Sequence, residues 1–201
     1  MQAARGTSLS PNDSSPDTTS PDATSPVPSR SRALGLMAAV FALLYAADQV
    51  TKAVAVARLD LGHDVSLVGD VLTLHLTRNA GAAFSTGTGY TELFSGLAIV
   101  AVVVVLWLSR RLHDRVWAVA FGFLLAGICG NLTDRMVRDP GPLRGHVVDF
   151  LMLPHWPIFN VADMCINVAA GLILVQAFRG VRLDGSRIVR ATDDEPDPTS
   201  S

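Results

Sequence analysis

Four long apolar stretches dominate the chain, at about Ala33 to Ala57, Leu93 to Leu108, Val116 to Met136 and Phe159 to Phe178. Each is close to the roughly 20 residues an α-helix needs to cross a hydrocarbon core of about 30 Å, the second being the shortest. The pattern predicts an α-helical integral membrane protein with four transmembrane helices. The first stretch begins too far from Met1, and runs too long without a small-residue cleavage site behind it, for a removable signal peptide, so it reads as an internal anchor. Between the first two helices the period changes. In "DVSLVGDVLTLHLTRNAGAAFS", Val65, Leu67, Val71, Thr73 and His75 alternate with their neighbours, and Val, Thr and Leu dominate. That pattern predicts a small antiparallel sheet on the membrane surface. Between the third and fourth helices, roughly Val137 to Ile158, four prolines and the run "RDPGPLRG" predict a short, turn-rich outer loop that covers the site.

The ends of the chain are different. Residues 1–32 are built largely from Ser, Pro, Thr, Asp, Ala and Gly, and 181–201 close on "ATDDEPDPTSS". Such segments bury too little apolar surface to offset chain entropy and are expected to be disordered tails around one membrane domain at 33–180. Four crossings put both tails on one side. Nine arginines belong to that side and its 109–115 turn (Arg30, Arg32, Arg110, Arg111, Arg115, Arg179, Arg182, Arg187, Arg190), against five on the other (Arg58, Arg78, Arg135, Arg138, Arg144). The positive-inside rule makes the tails cytoplasmic and turns the sheet and the second loop outward. Charge adds little else: the formal net charge is −2 and the basic residues are scattered, which sets nucleic acid aside as a partner. Cys129 and Cys165 lie inside apolar stretches and match no metal or disulfide spacing, so they read as small apolar residues.

Against this background the polar residues within the spans stand out. A central Asp, Lys or Arg in a spanning helix costs about 2.5 to 3.5 kcal/mol on insertion scales and tends to mark function. Here they form three groups at one depth, toward the outer face: "DQVTK" (Asp48 to Lys52), "GNLTDR" (Gly130 to Arg135) and "FNVAD" (Phe159 to Asp163). Asp48 and Lys52 are spaced i, i+4 and can pair on one helix face. Asp134 and Arg135 are adjacent, cannot face each other, and need partners elsewhere. Asp149 and Asp163 have no basic residue at helix spacing. If the fold brings these two together in a poorly solvated place, they share a proton and supply one base and one acid, the logic of a carboxylate dyad that activates water. Spacing alone leaves the plainer alternative open, with Asp163 a helix N-terminal charge and Asp149 a loop cap. His146 and His155 lie near the aspartates, but H-x2-D-x5-H-x7-D matches no metal motif, and neither a metal nor another cofactor is expected. Ser85 and Ser95 lack a nearby histidine or a nucleophile elbow.

Taken together, "DQVTK", "NAGAAF", "GNLTDR", "GHVVDF" and "FNVAD", in that order among four spanning helices, resemble the lipoprotein signal peptidases of bacteria, also called signal peptidase II. The resemblance covers about Leu34 to Phe178. It implies a membrane aspartyl endopeptidase that removes the signal peptide from diacylglyceryl-modified prolipoproteins, cutting before the lipidated cysteine. The enzyme would work as a monomer among the lipids of the bacterial plasma membrane, with its site toward the extracytoplasmic face. By motif match Asp149 and Asp163 are the catalytic pair. Asn131, Arg135 and Asn160 then hold substrate or order the dyad, Asp134 supports the site, Asn79 and Gly81 belong to the sheet flanking the cleft, and Asp48 and Lys52 brace the first helix. Two departures from the family are visible: the stretch between Asp149 and Asp163 is shorter than in many members, and Met164 and Cys165 stand where small residues are more common. A reading from another class, a small proton- or cation-coupled transporter, would also place carboxylates within the spans, but the two halves of the chain show no convincing repeat.

Overall fold

The computed structural model describes residues 29–81 and 91–188. Four helices, α1 (Arg30–Arg58), α2 (Thr91–Leu108), α3 (Arg115–Val137) and α4 (Val161–Phe178), coincide with the four apolar stretches. All are long and apolar enough to cross a membrane, α2 being prolonged by a 3-10 turn at Ser109–Arg111. Large apolar side chains such as Leu43, Leu97, Val103, Leu174 and Phe178 point outward from α1, α2 and α4. Water would make that surface an aggregation patch, whereas lipid solvates it. Helix α3 packs against the other three. Its buried positions include Ala118, Gly122, Ala126, Gly127 and Gly130, small residues of the kind that let helices approach closely where no hydrophobic effect drives them together.

Three strands, β1 (Asp64–Val68), β2 (Leu72–Asn79) and β3 (Val147–Met152), form one antiparallel sheet in the order β1-β2-β3. The alternating segment supplies β1 and β2. Strand β3 comes from the loop read as turn-rich and pairs with β2 so that Thr77 faces Asp149 and Asn79 faces Val147. Ala55 of α1 packs with Leu76, Val148 and Phe150, which seats the sheet on the C-terminal end of α1. The same end of the bundle holds the N-termini of α2 and α4 and the C-terminus of α3.

At the opposite end, Ala33, Met37, Val105, Leu112 and Phe121 form a second core, against which Leu183 packs. Residues on both sides of the expected limits, 33 and 180, take part in the packing at this end. Arg30 and Arg32 belong to the first turn of α1. Beyond α4 the chain forms a small hairpin in which Val181 bridges Arg187. His113 N and Asp114 N donate to Leu183 O at 2.9 and 3.2 Å, and Trp117 Nε1 donates to Val181 O at 3.0 Å. Asp114 caps α3 by accepting from Trp117 N at 2.9 Å and also accepts from the buried Gln176 Nε2 at 2.8 Å. The hairpin thus satisfies backbone groups at the start of α3, a packing task that its polar sequence does not announce. The rest of the expected tails, 1–28 and 189–201, lies outside the described residues, as does the "AAF" of "NAGAAF".

Candidate active site

The site is assembled by the way α4 begins. Asn160 has extended backbone and serves as the N-cap: its Oδ1 accepts from Asp163 N at 3.0 Å, while Asp163 Oδ2 accepts from Asn160 N at 3.2 Å. This reciprocal capping box satisfies two groups that helix geometry would leave without partners. The other oxygen of Asp163 accepts from Asn131 Nδ2 on α3 at 2.8 Å.

Asp149 reaches the same place by a chain reversal. Strand β3 ends at Met152, the chain turns through residues 153–157, and Phe159 returns to bridge Leu151. Phe159 O accepts from Phe150 N and Leu151 N at 3.1 and 2.9 Å, and Phe159 N donates to Leu151 O at 2.9 Å. The return lays Asn160 beside Asp149, so Asn160 Nδ2 donates to Asp149 Oδ1 at 2.6 Å and also lies 3.1 Å from Asn131 Oδ1 and 3.2 Å from Val148 O. Asn79 on β2 donates from Nδ2 to Asp149 Oδ2 at 3.0 Å and accepts from Gly81 N at 3.0 Å. One buried asparagine therefore touches both carboxylates, the first through its side chain and the second through its backbone N–H.

Asp149 is 2% exposed. Burial, and then the negative charge of Asp163, push its carboxyl up to about 7, against the opposing pull of the Asn79 and Asn160 hydrogen bonds and the Lys52 charge. Below about pH 7 Asp149 therefore holds its proton in the cleft that the Asp163 carboxyl also lines. Both carboxylates line a cleft of about 370 Å³ whose walls also include Asn79, Gly81, Asn131 and Arg135. Arg135 is half-buried, and its Nε is the buried side-chain nitrogen without a hydrogen-bond partner among the described residues.

Behind the cleft lies a charged cluster. Lys52 Nζ, fully buried, donates to Asp48 Oδ2 at 3.0 Å, Asp134 Oδ2 at 2.9 Å and Asn131 Oδ1 at 3.0 Å, which uses all three ammonium hydrogens. The i, i+4 pair expected on the first helix is therefore one contact of a larger knot. Asp48 Oδ1 accepts from Ala162 N in the first turn of α4 at 2.9 Å. Asp134 finds Lys52, Arg138 Nε at 2.5 Å and Val148 N at 3.2 Å, not its neighbour Arg135. The knot thus ties α1, α3, β3 and the start of α4 together directly behind Asn131 and Asn160.

Two glycines make this packing possible. A Cβ at Gly130 would stand 2.5 Å from Asp48 Oδ2, and one at Gly145 would collide with Asp134 O and stand 2.8 Å from Arg138 O. Gly145 and Arg138 were not singled out by the sequence reading. Both lie inside or beside its motifs, but their roles depend on a chain crossing that spacing does not reveal. All ten candidate residues meet here: Asp149, Asp163, Asn79, Gly81, Asn131 and Arg135 in the cleft wall, Asn160 between the carboxylates, and Asp48, Lys52 and Asp134 behind. Among the described residues, no group of three or more His, Cys, Asp or Glu is placed to hold a metal ion.

Comparison with known proteins gives a consistent picture. The family model described as signal peptidase (SPase) II matches residues 40–179. The chain is 48% identical over 153 residues to the lipoprotein signal peptidase of Mycobacterium avium (strain 104), covering 76% of this chain and 84% of the relative. It is 44% identical over 165 residues to that of Leifsonia xyli subsp. xyli (strain CTCB07), covering 80% and 76%. Two solved structures of bacterial membrane enzymes share the fold. One has a TM-score of 0.66 at 24% identity over 78% of this chain and 95% of its own, and the other 0.64 at 26% over 72% and 94%. The relatives are named peptidases, which decides against the transporter reading. With four apolar helices and this match over most of its folded part, the chain is a multi-pass membrane protein and belongs to the signal peptidase II family.

Proposed function

We propose that the protein is an aspartic endopeptidase that removes the signal peptide from diacylglyceryl-modified prolipoproteins, cutting before the lipidated cysteine, with Asp149 and Asp163 as its catalytic pair. The observation that carries this reading is that both carboxyls line one cleft and both bond to the buried Asn160. The pair carries one proton. Its ionised member takes a proton from a water that enters the cleft, its protonated member donates to the scissile carbonyl oxygen, and the resulting diol collapses as the proton moves on to the leaving amine. Asn160, Asn131 and Asn79 hold the two carboxyls in register. Arg135, with a buried donor to spare, is suited to a substrate carbonyl.

A lipid-modified signal peptide is itself held in the bilayer, so its protease must offer its carboxyls at the interface, between helices. The nine-to-five arginine distribution supports cytoplasmic termini and a sheet end that faces outward from the plasma membrane, where this substrate is exposed. The lipid and monomer expectations rest on the same resemblance.

The test is cleavage of a lipidated precursor by the purified protein in detergent micelles, with a chelator present. Wild type should release the signal peptide, and Asp149→Asn and Asp163→Asn should each lower the rate by at least about a thousand-fold while remaining folded. Retained cleavage by either single variant removes that residue from the dyad. Equal cleavage of the same precursor without its lipid contradicts the substrate class.

A further inference from the structure

A second cavity, of about 280 Å³, opens beside the cleft on the sheet side, with Asp70, Thr73, Met152, His155 and Trp156 among its lining residues. Trp156, 63% exposed, belongs to both walls and stands between the two spaces. The lining comes from the turn joining β1 to β2, from the end of β3 where Thr73 faces Met152, and from the turn after β3. None of it belongs to a spanning helix. Nothing in the dyad chemistry uses this cavity.

Its place relates it to the substrate's path. The apolar signal segment must approach the carboxyls from the helix side, where Ile166 and Asn167 of α4 line the cleft. The chain beyond the scissile bond leaves the bilayer for water and so passes over the sheet side. From Asp149 to Met152 is three residues of strand, about 10 Å, a distance an extended peptide spans in the same number of residues. We propose that this cavity receives the residues that follow the lipidated cysteine, and that Asp70 on its rim selects basic over acidic side chains there. Asp70 is exposed and makes no ion pair among the described residues, so its charge is available to an incoming cation. The inference rests on the peptidase reading and deepens it.

The test uses the full chain in detergent micelles and three lipidated precursor peptides that differ only in the two residues after the cysteine: Lys-Lys, Ser-Ser or Glu-Glu. Wild type should favour Lys-Lys over Glu-Glu by about five-fold in kcat/KM, the scale of an exposed charge contact, and less so as salt is raised. Asp70→Asn should bring the ratio close to one and Asp70→Lys should reverse it, with the Ser-Ser rate held within about two-fold. A wild-type ratio of one, or variants that slow all three peptides equally, overturns the inference and leaves the peptidase reading standing. Failure of wild type to cleave any of the three overturns both.

Discussion

Replacing Asp149 by asparagine should abolish cleavage and yet make the fold more stable at alkaline pH. A carboxyl whose native value lies at about 7, against an ordinary 3.8, is protonated in the folded protein across a window in which the unfolded chain has already released its proton. Stability therefore falls as pH rises through that window, and at about 1.4 kcal/mol per pH unit the accumulated cost is about 4 kcal/mol. It is fully present above about pH 7 and absent below about pH 4. The Asp149→Asn side chain would carry no such cost. Its amide oxygen can still accept from Asn160, but its amide nitrogen would face Asn79 Nδ2 where Asp149 Oδ2 stood, donor against donor. An unsatisfied buried donor costs about 1 to 3 kcal/mol at any pH. The variant should thus be more stable than wild type by about 1 to 3 kcal/mol near pH 8 and less stable by a similar amount near pH 4. Equilibrium unfolding in mixed detergent micelles across this range reads the difference directly. The reasoning is refuted if the two stability curves stay parallel with pH, because the native state would then hold no extra proton at position 149.

Three further outcomes follow from other contacts. Asn79→Ala removes a hydrogen bond that favours the ionised form of Asp149, so the alkaline limb of the wild-type pH–rate profile, expected near pH 7 where the pair loses its proton, should move up by about 0.5 to 1 in pH; a limb that stays or moves down contradicts the assignment. Lys52→Met leaves Asp48 and Asp134 buried without their shared cation and should cost about 3 to 5 kcal/mol, seen as loss of folded protein on gel filtration, and adding Asp134→Asn should recover part of it. Deleting 189–201 leaves every described contact in place and should not change thermal stability, whereas deleting 181–201 strips Leu183 from the core around Leu112 and should lower the melting temperature by several degrees, about 2 to 4 kcal/mol.

Hydropathy made the four helices legible because a membrane span is a property of length and average polarity, which a single sequence carries in full. Alternation revealed β1 and β2 for a similar reason. Strand β3 escaped because Val147, Val148, Asp149 and Phe150 are all buried, so no exposed face imposes a period of two, and the glycines and prolines around it read as turns. The charged knot was visible only in its local half: Asp48 and Lys52 lie one turn apart, but Asp134 meets Lys52 across 82 residues, a contact that helix packing creates and spacing cannot show. The 181–188 hairpin was hidden because backbone bonds and a single leucine dock it, with no apolar run to give it away.

A charge at a helix start and half of a carboxyl pair are geometrically compatible roles for Asp163. The capping box occupies one carboxylate oxygen with Asn160 N, and the same geometry fixes the side chain so that it lines the cleft with Asn131 on its second oxygen. Asn160 closes the arrangement, since its Oδ1 caps the helix while its Nδ2 reaches the carboxyl that β3 delivers. The placement of both carboxyls thus reduces to where α4 starts. Asp48 holds that start by accepting from Ala162 N, and Gly130 leaves the room for Asp48 to stand there. A change that moves the first turn of α4 by a fraction of an ångström would therefore separate the pair without touching either aspartate. For that reason three groups of polar residues, far apart in sequence, occupy one depth of an otherwise apolar bundle.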